Sequence, residues 1–238
     1  MAFVASLKSR LYVGTLAFAQ YTRGFSFTAD SMMLDVTTLV DTARKFIPGQ
    51  TTGTASMDLL LDSDATAGGE FALLATWQGT PQVVTLLPSG TTRGAECWNL
   101  LGNQSQVSMS TPVGDVVSAA VSIQCDGPAD AGVVLDPETA ITADTNGASV
   151  DNGAATSNGG VAHLHVTAFS GLTSNSVIVE HSTNDSVWAT LGTFTLATGT
   201  TSERLVIAAG TTVNRYLRVR DDVTGTGSCT RIVTFARR

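Results

Sequence analysis

The sequence predicts an all-β protein with one short helix. Thr, Ser, Gly, Ala and Val dominate the 238 residues and only 14% are charged, a composition typical of short strands and turns. Apolar residues alternate with small or polar ones over many short segments, which is the pattern of half-buried strands. The length permits two domains of roughly 110–120 residues, although a single large β domain also fits.

Strand patterns in the first half of the chain surround one stretch without periodicity. Between residues 35 and 54 the apolar residues follow neither the period of a strand nor that of a helix, and Pro48, Gly49 and Gly53 favour turns. This stretch is therefore predicted to be a long projecting loop. The predicted strands are 11–18, 24–28, 55–61, 82–87, 94–101, 105–110 and 116–125.

The predicted helix spans residues 69–78. Phe71, Leu74 and Trp77 recur at intervals of three and form one apolar stripe, which we expect to pack on a sheet. A Gly and a Pro follow and end the helix. The preceding turn, 62–64, begins with the Asp-Ser-Asp of a calcium loop but lacks that loop's spaced Gly and final Glu, so we interpret it as a plain turn.

A domain boundary is predicted at residues 126–132, where Gly, Pro and small residues interrupt a run of strands. The chain therefore divides into a first domain, 1–128, and a second domain, 133–238. Short strands at near-regular spacing, separated by turns such as 184–185 and 225–227, predict that the second domain is a β-sandwich. Its predicted strands are 161–169, 176–182, 187–194, 203–208, 215–220 and 229–235.

The charge distribution argues against tight nucleic-acid binding. The net charge is −7, with 6 basic and 10 acidic residues in 1–128 and 7 basic and 10 acidic residues in 129–238. Neither half clusters the Lys and Arg residues that would neutralise phosphates. An acidic wall past which DNA slides would fit the same numbers.

The sequence also bears on the compartment in which the protein is made. The N-terminal residues lack the pattern of a signal peptide, and no apolar run is long enough to cross a bilayer. Cys97, Cys125 and Cys229 cannot all pair within one chain, so we expect thiols that stay reduced in a cytosol.

Residues 41–49, Asp-Thr-Ala-Arg-Lys-Phe-Ile-Pro-Gly, followed by Gly-Thr-Ala-Ser at 53–56, resemble the lambda-type family of phage tail tube proteins. That family's long loop has an Arg-aromatic-Ile-Pro-Gly run before a strand. The resemblance extends through the turn, the single helix and the segment 110–127, and covers most of residues 10–128. It implies a tail tube β-sandwich domain with one flanking helix, which closes into a hexameric ring and stacks into a hollow tube for viral DNA.

The resemblance further implies that the loop joins neighbouring subunits. A ring needs one interface that repeats by rotation, and stacking needs a second along the axis. The two apolar residues of the loop are expected to insert into a groove of the adjoining subunit, its two cations to meet carboxylates at the rim, and its Pro-Gly pair to set the turn. An ordinary mobile connection is the alternative. The predicted ring-stacking loop consists of Arg44, Lys45, Phe46, Ile47, Pro48 and Gly49.

In the second domain, residues 177–188 and 214–219 are similar to the pattern IEHS-NDG-W followed by RYLRV, with Ser186 where Gly is usual. On this pattern the domain resembles discoidin-like and other galactose-binding-like or Ig-like β-sandwiches. The resemblance implies a possible host-surface glycan as ligand and a ligand face that contains Trp188, Arg215 and Tyr216. Trp188 is alternatively a core residue, which the position on the fold's own strands favours.

Catalytic and metal chemistry are not predicted. His163 and His165 lie two apart on one strand and His181 on another, a set that could hold zinc. Alternation with apolar residues, however, places the first two on the face turned to solvent or to a neighbouring domain. The sequence contains no nucleophile elbow, phosphate loop or dinucleotide-binding glycine run. Arg218 and Arg220 share a strand face and are expected to pair with acids across the sheet.

The sequence thus predicts a structural virion protein without catalytic residues, metal or cofactor: the major tail tube subunit, located in the virion tail and assembled in the host cytoplasm. Its expected partners are further copies of itself and the tape measure, terminator and baseplate proteins, with viral DNA passing through the lumen without specific binding and no membrane contact. The alternatives are a carbohydrate-binding surface module that uses the second domain, and another virion component such as a head decoration or minor tail protein.

Overall fold

The computed structural model describes residues 8–18, 22–60 and 77–238, and its regular elements are antiparallel strands, which confirms the predicted all-β class. Of the predicted helix, only Trp77 and Gln78 are among the described residues, and both lie in a turn. Phe71, Leu74 and the turn 62–64 fall outside the described residues. Within the described residues no helix could cross a membrane.

Fourteen strands occur in the described residues. They are β1 (Arg10–Val13), β2 (Leu16–Ala17), β3 (Thr22–Asp35), β4 (Phe46–Leu60), β5 (Gln82–Leu87), β6 (Glu96–Ser110), β7 (Ser118–Cys125), β8 (Asp130–Ile141), β9 (Thr145–Asn146), β10 (Val150–Asp151), β11 (Gly160–Ser182), β12 (Ala189–Thr193), β13 (Thr201–Ile207) and β14 (Tyr216–Arg237).

Contacts divide the chain into two compact units. Unit 1 comprises Met1–Gln20, Val83–Asn99 and Asp130–Arg238, and unit 2 comprises Tyr21–Gln82 and Leu100–Ala129. Unit 1 therefore includes β1, β2 and β5, because β1 pairs with β5 and the first residues of β6 pair with β8. These units are interleaved along the chain, whereas the sequence division is sequential. The division into 1–128 and 133–238 stays a prediction.

Unit 1 is built on one long antiparallel ribbon of β11 and β14. Both halves of the ribbon contribute to a single core, for example Leu164 from the first half of β11 and Val179 from the second. The sequence predicted two strands and a turn in place of each long strand. Bulges interrupt the pairing near Gly171, Gly225 and Gly227, and positive φ angles at these glycines let the ribbon bend without ending.

Both faces of the first half of β11 are covered. Every residue from Val161 to Val166 is buried, with Leu164 in the ribbon core and His163 and His165 on the other face, near Thr85. Of the two environments predicted for these histidines, solvent is wrong, because both rings are buried against residues of the predicted first domain, 1–128. A strand buried on both sides carries polar residues inside when they find hydrogen-bond partners, so alternation alone misjudges their exposure.

Unit 2 contains an antiparallel sheet in the order β3, β4, β7, β6. Alternate residues of β4 and β7 are buried, among them Met57, Leu59, Val121 and Ile123. The predicted loop at 35–54 is wrong in most of its length, because β3 runs to Asp35 and β4 starts at Phe46, leaving only 36–45 as a connection. Both faces of these strand ends are exposed, so the sequence shows no alternation there.

Candidate functional site: an exposed apolar arm

Residues 29–53 of unit 2 form a two-stranded arm. β4 pairs with β7 only from Thr54 to Leu60, so that residues 46–53 have β3 as their sole strand partner among the described residues. Eight residues of extended strand span about 26 Å. An isolated two-stranded hairpin is marginally stable in water. Contact with another protein surface would therefore stabilise the arm.

Large apolar side chains are concentrated on the arm. Of the fifteen large apolar side chains that are exposed among the described residues, eight lie on it. Leu39 is fully exposed and Val40 is 89% exposed, while Phe46 and Ile47 are about half exposed. Successive strand residues point to opposite faces, so Phe46 and Ile47 make both faces of the arm apolar. The eight are Met32, Met33, Leu34, Val36, Leu39, Val40, Phe46 and Ile47. Single exposed apolar residues are ordinary, but a cluster of this size marks an interaction surface.

Hydrogen bonds fix the conformation of the connection 36–45. The Asp35 carboxylate accepts from the Thr37 backbone, at 2.9 Å, and the Asp41 carboxylate accepts from both the backbone and the hydroxyl of Thr38, at 2.8 Å. The Lys45 backbone N–H donates to the Thr37 hydroxyl at 3.0 Å. Hydrogen bonds from the hydroxyl and the backbone of Thr37 lower the pKa of the Asp35 carboxyl. The bond from the Lys45 ammonium, followed by those from Thr38, lowers the pKa of the Asp41 carboxyl. The apolar tip is therefore presented in a defined geometry.

The predicted ring-stacking residues all lie on the arm, in conformations that differ in part from the prediction. Pro48 and Gly49 are within β4, where Pro48 pairs with Met33, so the prediction that they set a turn was wrong. Lys45 forms an ion pair with Asp41 of its own chain. Arg44 is exposed and has no ion pair or hydrogen bond within the described part of the chain. That these residues join subunits stays a prediction.

One exposed face of the unit 2 sheet is polar. Cross-strand neighbours on it include Ser56 and Ser122, whose hydroxyls are 3.3 Å apart, and Thr54 and Gln124, whose side chains are 3.1 Å apart. These hydroxyl and amide groups stand opposite the buried apolar face of the same strands. The sheet thus has one face for a core and one for water.

The residues predicted as a ligand face lie at the start of β14 and before β12. Arg215 donates two hydrogen bonds to Asp151, both 2.6 Å, and its guanidinium lies 5.0 Å from the Tyr216 ring centre. These bonds lower the pKa of Asp151 to about 2. Trp188 is half-buried rather than a core residue, contrary to the favoured interpretation. Glycan binding here stays a prediction.

Arginine pairing around Trp188 follows the sequence prediction. Arg218 lies over the Trp188 ring at 4.3 Å and pairs with Glu180 at 2.7 Å, while Arg220 pairs with the same carboxylate at 3.1 Å. The prediction that Arg218 and Arg220 meet an acid across the sheet is confirmed. Sequence reasoning missed the stacking of Arg218 on the indole, because nothing in the spacing links β14 to the connection before β12.

A buried polar cluster in unit 1 was also missed. The Thr85 hydroxyl lies 3.1 Å from His163 Nδ1 and 2.8 Å from His165 Nε2, and His165 Nδ1 lies 2.7 Å from the Gly14 carbonyl oxygen. Burial lowers the pKa of both histidines, that of His165 to about 4. Asn99 adjoins the cluster, and its Nδ2 is buried without a partner in the described residues. The described residues contain no group of three or more potential metal ligands.

Comparisons with known proteins give distant structural similarities. No family model and no curated protein sequence matches the chain. The virion of a native gene transfer agent particle contains a similar chain at 12% identity, covering 50% of this chain and 92% of that one, with a TM-score of 0.40. The tail of an empty gene transfer agent particle, refined with C6 symmetry, contains one at 12% identity, 46% and 80% coverage and TM-score 0.38.

A third similar structure is the crystal structure of SPP1 Dit (gp 19.1), described as a paradigm of the hub adsorption apparatus in phages that infect Gram-positive bacteria. It has 10% identity, covers 96% of this chain and 98% of that one, and has a TM-score of 0.40. The three structures are described as a virion, a tail and a protein of a hub adsorption apparatus. Similarity at this distance establishes neither family nor function.

Proposed function

We propose that this chain is a structural subunit of a phage tail, the tail tube subunit, which forms rings that stack through the arm. The observation that carries the proposal is the arm itself: a two-stranded ribbon, apolar on both faces, with an ordered tip and no cover within the described residues. A protein that acted alone would expose this surface to no purpose and at a risk of aggregation.

The size of the apolar arm suits subunit association. Burying one large aliphatic or aromatic side chain contributes roughly 1.5–3 kcal/mol. Eight such side chains, several of them half-buried already, would together contribute on the order of 10 kcal/mol, which is comparable with the 4–15 kcal/mol cost of association. Contacts of a single arm are therefore marginal, and a ring that engages several arms at once would be stable.

A second interface is available at the edge of the unit 2 sheet. β3 is a 14-residue strand that pairs only with β4 among the described residues. Long uncovered edges invite pairing with another chain. A neighbouring copy that adds to this edge, repeated by rotation, would close a ring, while the arm would join rings along the axis.

The polar face of unit 2 is suited to a DNA conduit that does not bind its cargo. Its side chains are mostly Ser, Thr and Gln, with Arg23 and Asp58 at one end. A wall of this kind offers few cations to phosphate, so DNA would pass without the salt-dependent binding that clustered Lys and Arg produce.

Substitution of the arm tests the proposal. In Phe46→Asp/Ile47→Asp, charge enters the apolar contact, and we expect the protein to stay folded but to lose assembly into rings and tubes, measured by sedimentation velocity and negative-stain microscopy. Val187→Asp/Leu196→Asp, which changes two exposed apolar residues of unit 1, is the matched control and should assemble as the unaltered protein does. Normal tubes from the arm variant would refute the proposal.

A further inference from the structure

We propose that the arm of one copy docks into a recess at the opposite end of unit 2 of a second copy, an inference that rests on the proposed tail function. The recess has a volume of about 360 Å³ and is lined by residues of all four strands of the sheet, among them Arg23, Asp58, Ser108, Met109, Ser118 and Ala120.

The strand register places the arm and the recess at opposite ends. β4 and β7 pair from Leu60 with Ser118 at one end to Thr54 with Gln124 at the other. The arm continues beyond the Thr54 end, whereas the connection 111–117 and the recess lie at the Leu60 end. A subunit with a projection at one end and a recess at the other can associate head to tail without limit.

The recess end carries the second concentration of exposed apolar side chains. Four of the seven such residues outside the arm are at this end, in β6, in the connection and beside it. They are Met109, Val113, Val116 and Val117. Only three of the fifteen lie in unit 1, so the exposed large apolar side chains of residues 8–18, 22–60 and 77–238 are concentrated at the two ends of unit 2. Apolar surface at both ends is what a repeating contact between identical copies requires.

Charge complementarity also favours a second copy as the occupant. On the arm, the ammonium of Lys45 is neutralised by Asp41 and the Asp35 carboxylate is hydrogen-bonded by Thr37, which leaves Arg44 as the cation without a partner. In the recess, the carboxylate of Asp58 is exposed and has no ion pair or hydrogen bond within the described ranges. Arg44 of one copy and Asp58 of the next would meet at the rim of the apolar contact.

Complementation between two defective copies tests the inference. Phe46→Asp/Ile47→Asp removes the arm contact, and Ala120→Trp fills the recess from an exposed strand position without touching the arm. Each variant alone should remain as unstacked particles. A mixture retains one good arm and one good recess, so we expect a species of twice the unstacked mass and nothing larger, measured by sedimentation velocity or light scattering.

The outcomes separate the inference from the proposed function. If the arm variant fails to stack but Ala120→Trp stacks normally, the arm works elsewhere and the recess is not its receptor. If the arm variant itself stacks normally, the proposed function fails. A mixture that shows no doubling, although both variants melt at the temperature of the unaltered protein, also overturns the inference.

Charge reversal gives a second, independent readout. Arg44→Asp alone and Asp58→Arg alone should each raise the protein concentration needed for stacking roughly tenfold, since each places like charges opposite one another. The combination of both changes in one chain restores an opposite-charge pair and should return that concentration close to its original value. Additive losses in the combined variant would show that the two residues do not meet.

Discussion

Mild acid should destabilise unit 1 through its buried histidines. His165 is fully buried, with its two ring nitrogens near the Thr85 hydroxyl and the Gly14 carbonyl oxygen. Burial lowers its pKa from 6.5 to about 4, so the folded protein holds the neutral ring while the unfolded chain takes up a proton below about pH 6.5. Stability is therefore fully present above pH 6.5 and falls as the pH drops towards 4.

The magnitude follows from the two pKa values. One pKa unit corresponds to about 1.4 kcal/mol, so His165 alone lowers the free energy of unfolding by about 2 kcal/mol at pH 5 and by about 3 kcal/mol at pH 4. His163 acts in the same direction, because burial, His165 and Arg204 lower its pKa as well. The loss from His165 alone is a substantial part of the roughly 5–15 kcal/mol that typically holds a domain together, and His163 adds to it.

Urea unfolding followed by circular dichroism between pH 7.5 and 4.5 measures this loss. In the double variant His163→Gln/His165→Gln the dependence on pH should be nearly flat over this range, whatever its absolute stability. His181→Gln is the matched control, since that ring is only partly buried, and should keep most of the slope. An unfolding free energy that stays constant from pH 7 to pH 5 in the unaltered protein would refute the reasoning.

Two further substitutions test the packing of unit 1. In Gly227→Ala the added Cβ would lie 2.0 Å from the Ser170 carbonyl oxygen, at a positive φ, so we expect Tm measured by calorimetry to fall by several degrees. Gly199→Ala is the control, because a Cβ there meets no atom within 4 Å and Tm should not change appreciably. Equal Tm values for the two variants would contradict the close approach at Gly227. In Arg231→Ala the buried Asp221 carboxylate loses its ion-pair partner, whose Nε lies 3.0 Å away, and chemical unfolding should show a loss of about 3–5 kcal/mol. Arg215→Ala removes an ion pair on the surface and should change stability little, so similar losses in the two variants would show that burial does not decide the effect.

The sequence predicted two of the strands well. β5, Gln82–Leu87, has the predicted bounds although both of its faces are buried, and the alternation in β7 matches the burial of Val121 and Ile123. A strand such as β7 shows the period of two because one face meets a core and the other meets water.

Two errors arose in strands whose faces share one environment. The arm strands expose both faces, so residues 46–53 were interpreted as a loop. The first half of β11 buries both faces, so alternation left open whether its histidines face solvent or a neighbouring domain. Glycines had a similar effect, because Gly225 and Gly227 were interpreted as a turn although they form bulges in a continuous strand. In each case pairing with a distant part of the chain, which local patterns do not contain, decided the structure.

The continuity of β11 and β14 has a mechanical consequence for unit 1. Twenty residue pairs join the two strands from Gly160 with Arg237 to Ser182 with Tyr216, and the same two strands form both sides of the ribbon core. Neither half of the ribbon can open while the other half stays paired, because strand separation that starts in one half continues along the same hydrogen-bonded ladder into the other half. Under load, unit 1 should give way in a single rupture, with no partly opened form at intermediate extension.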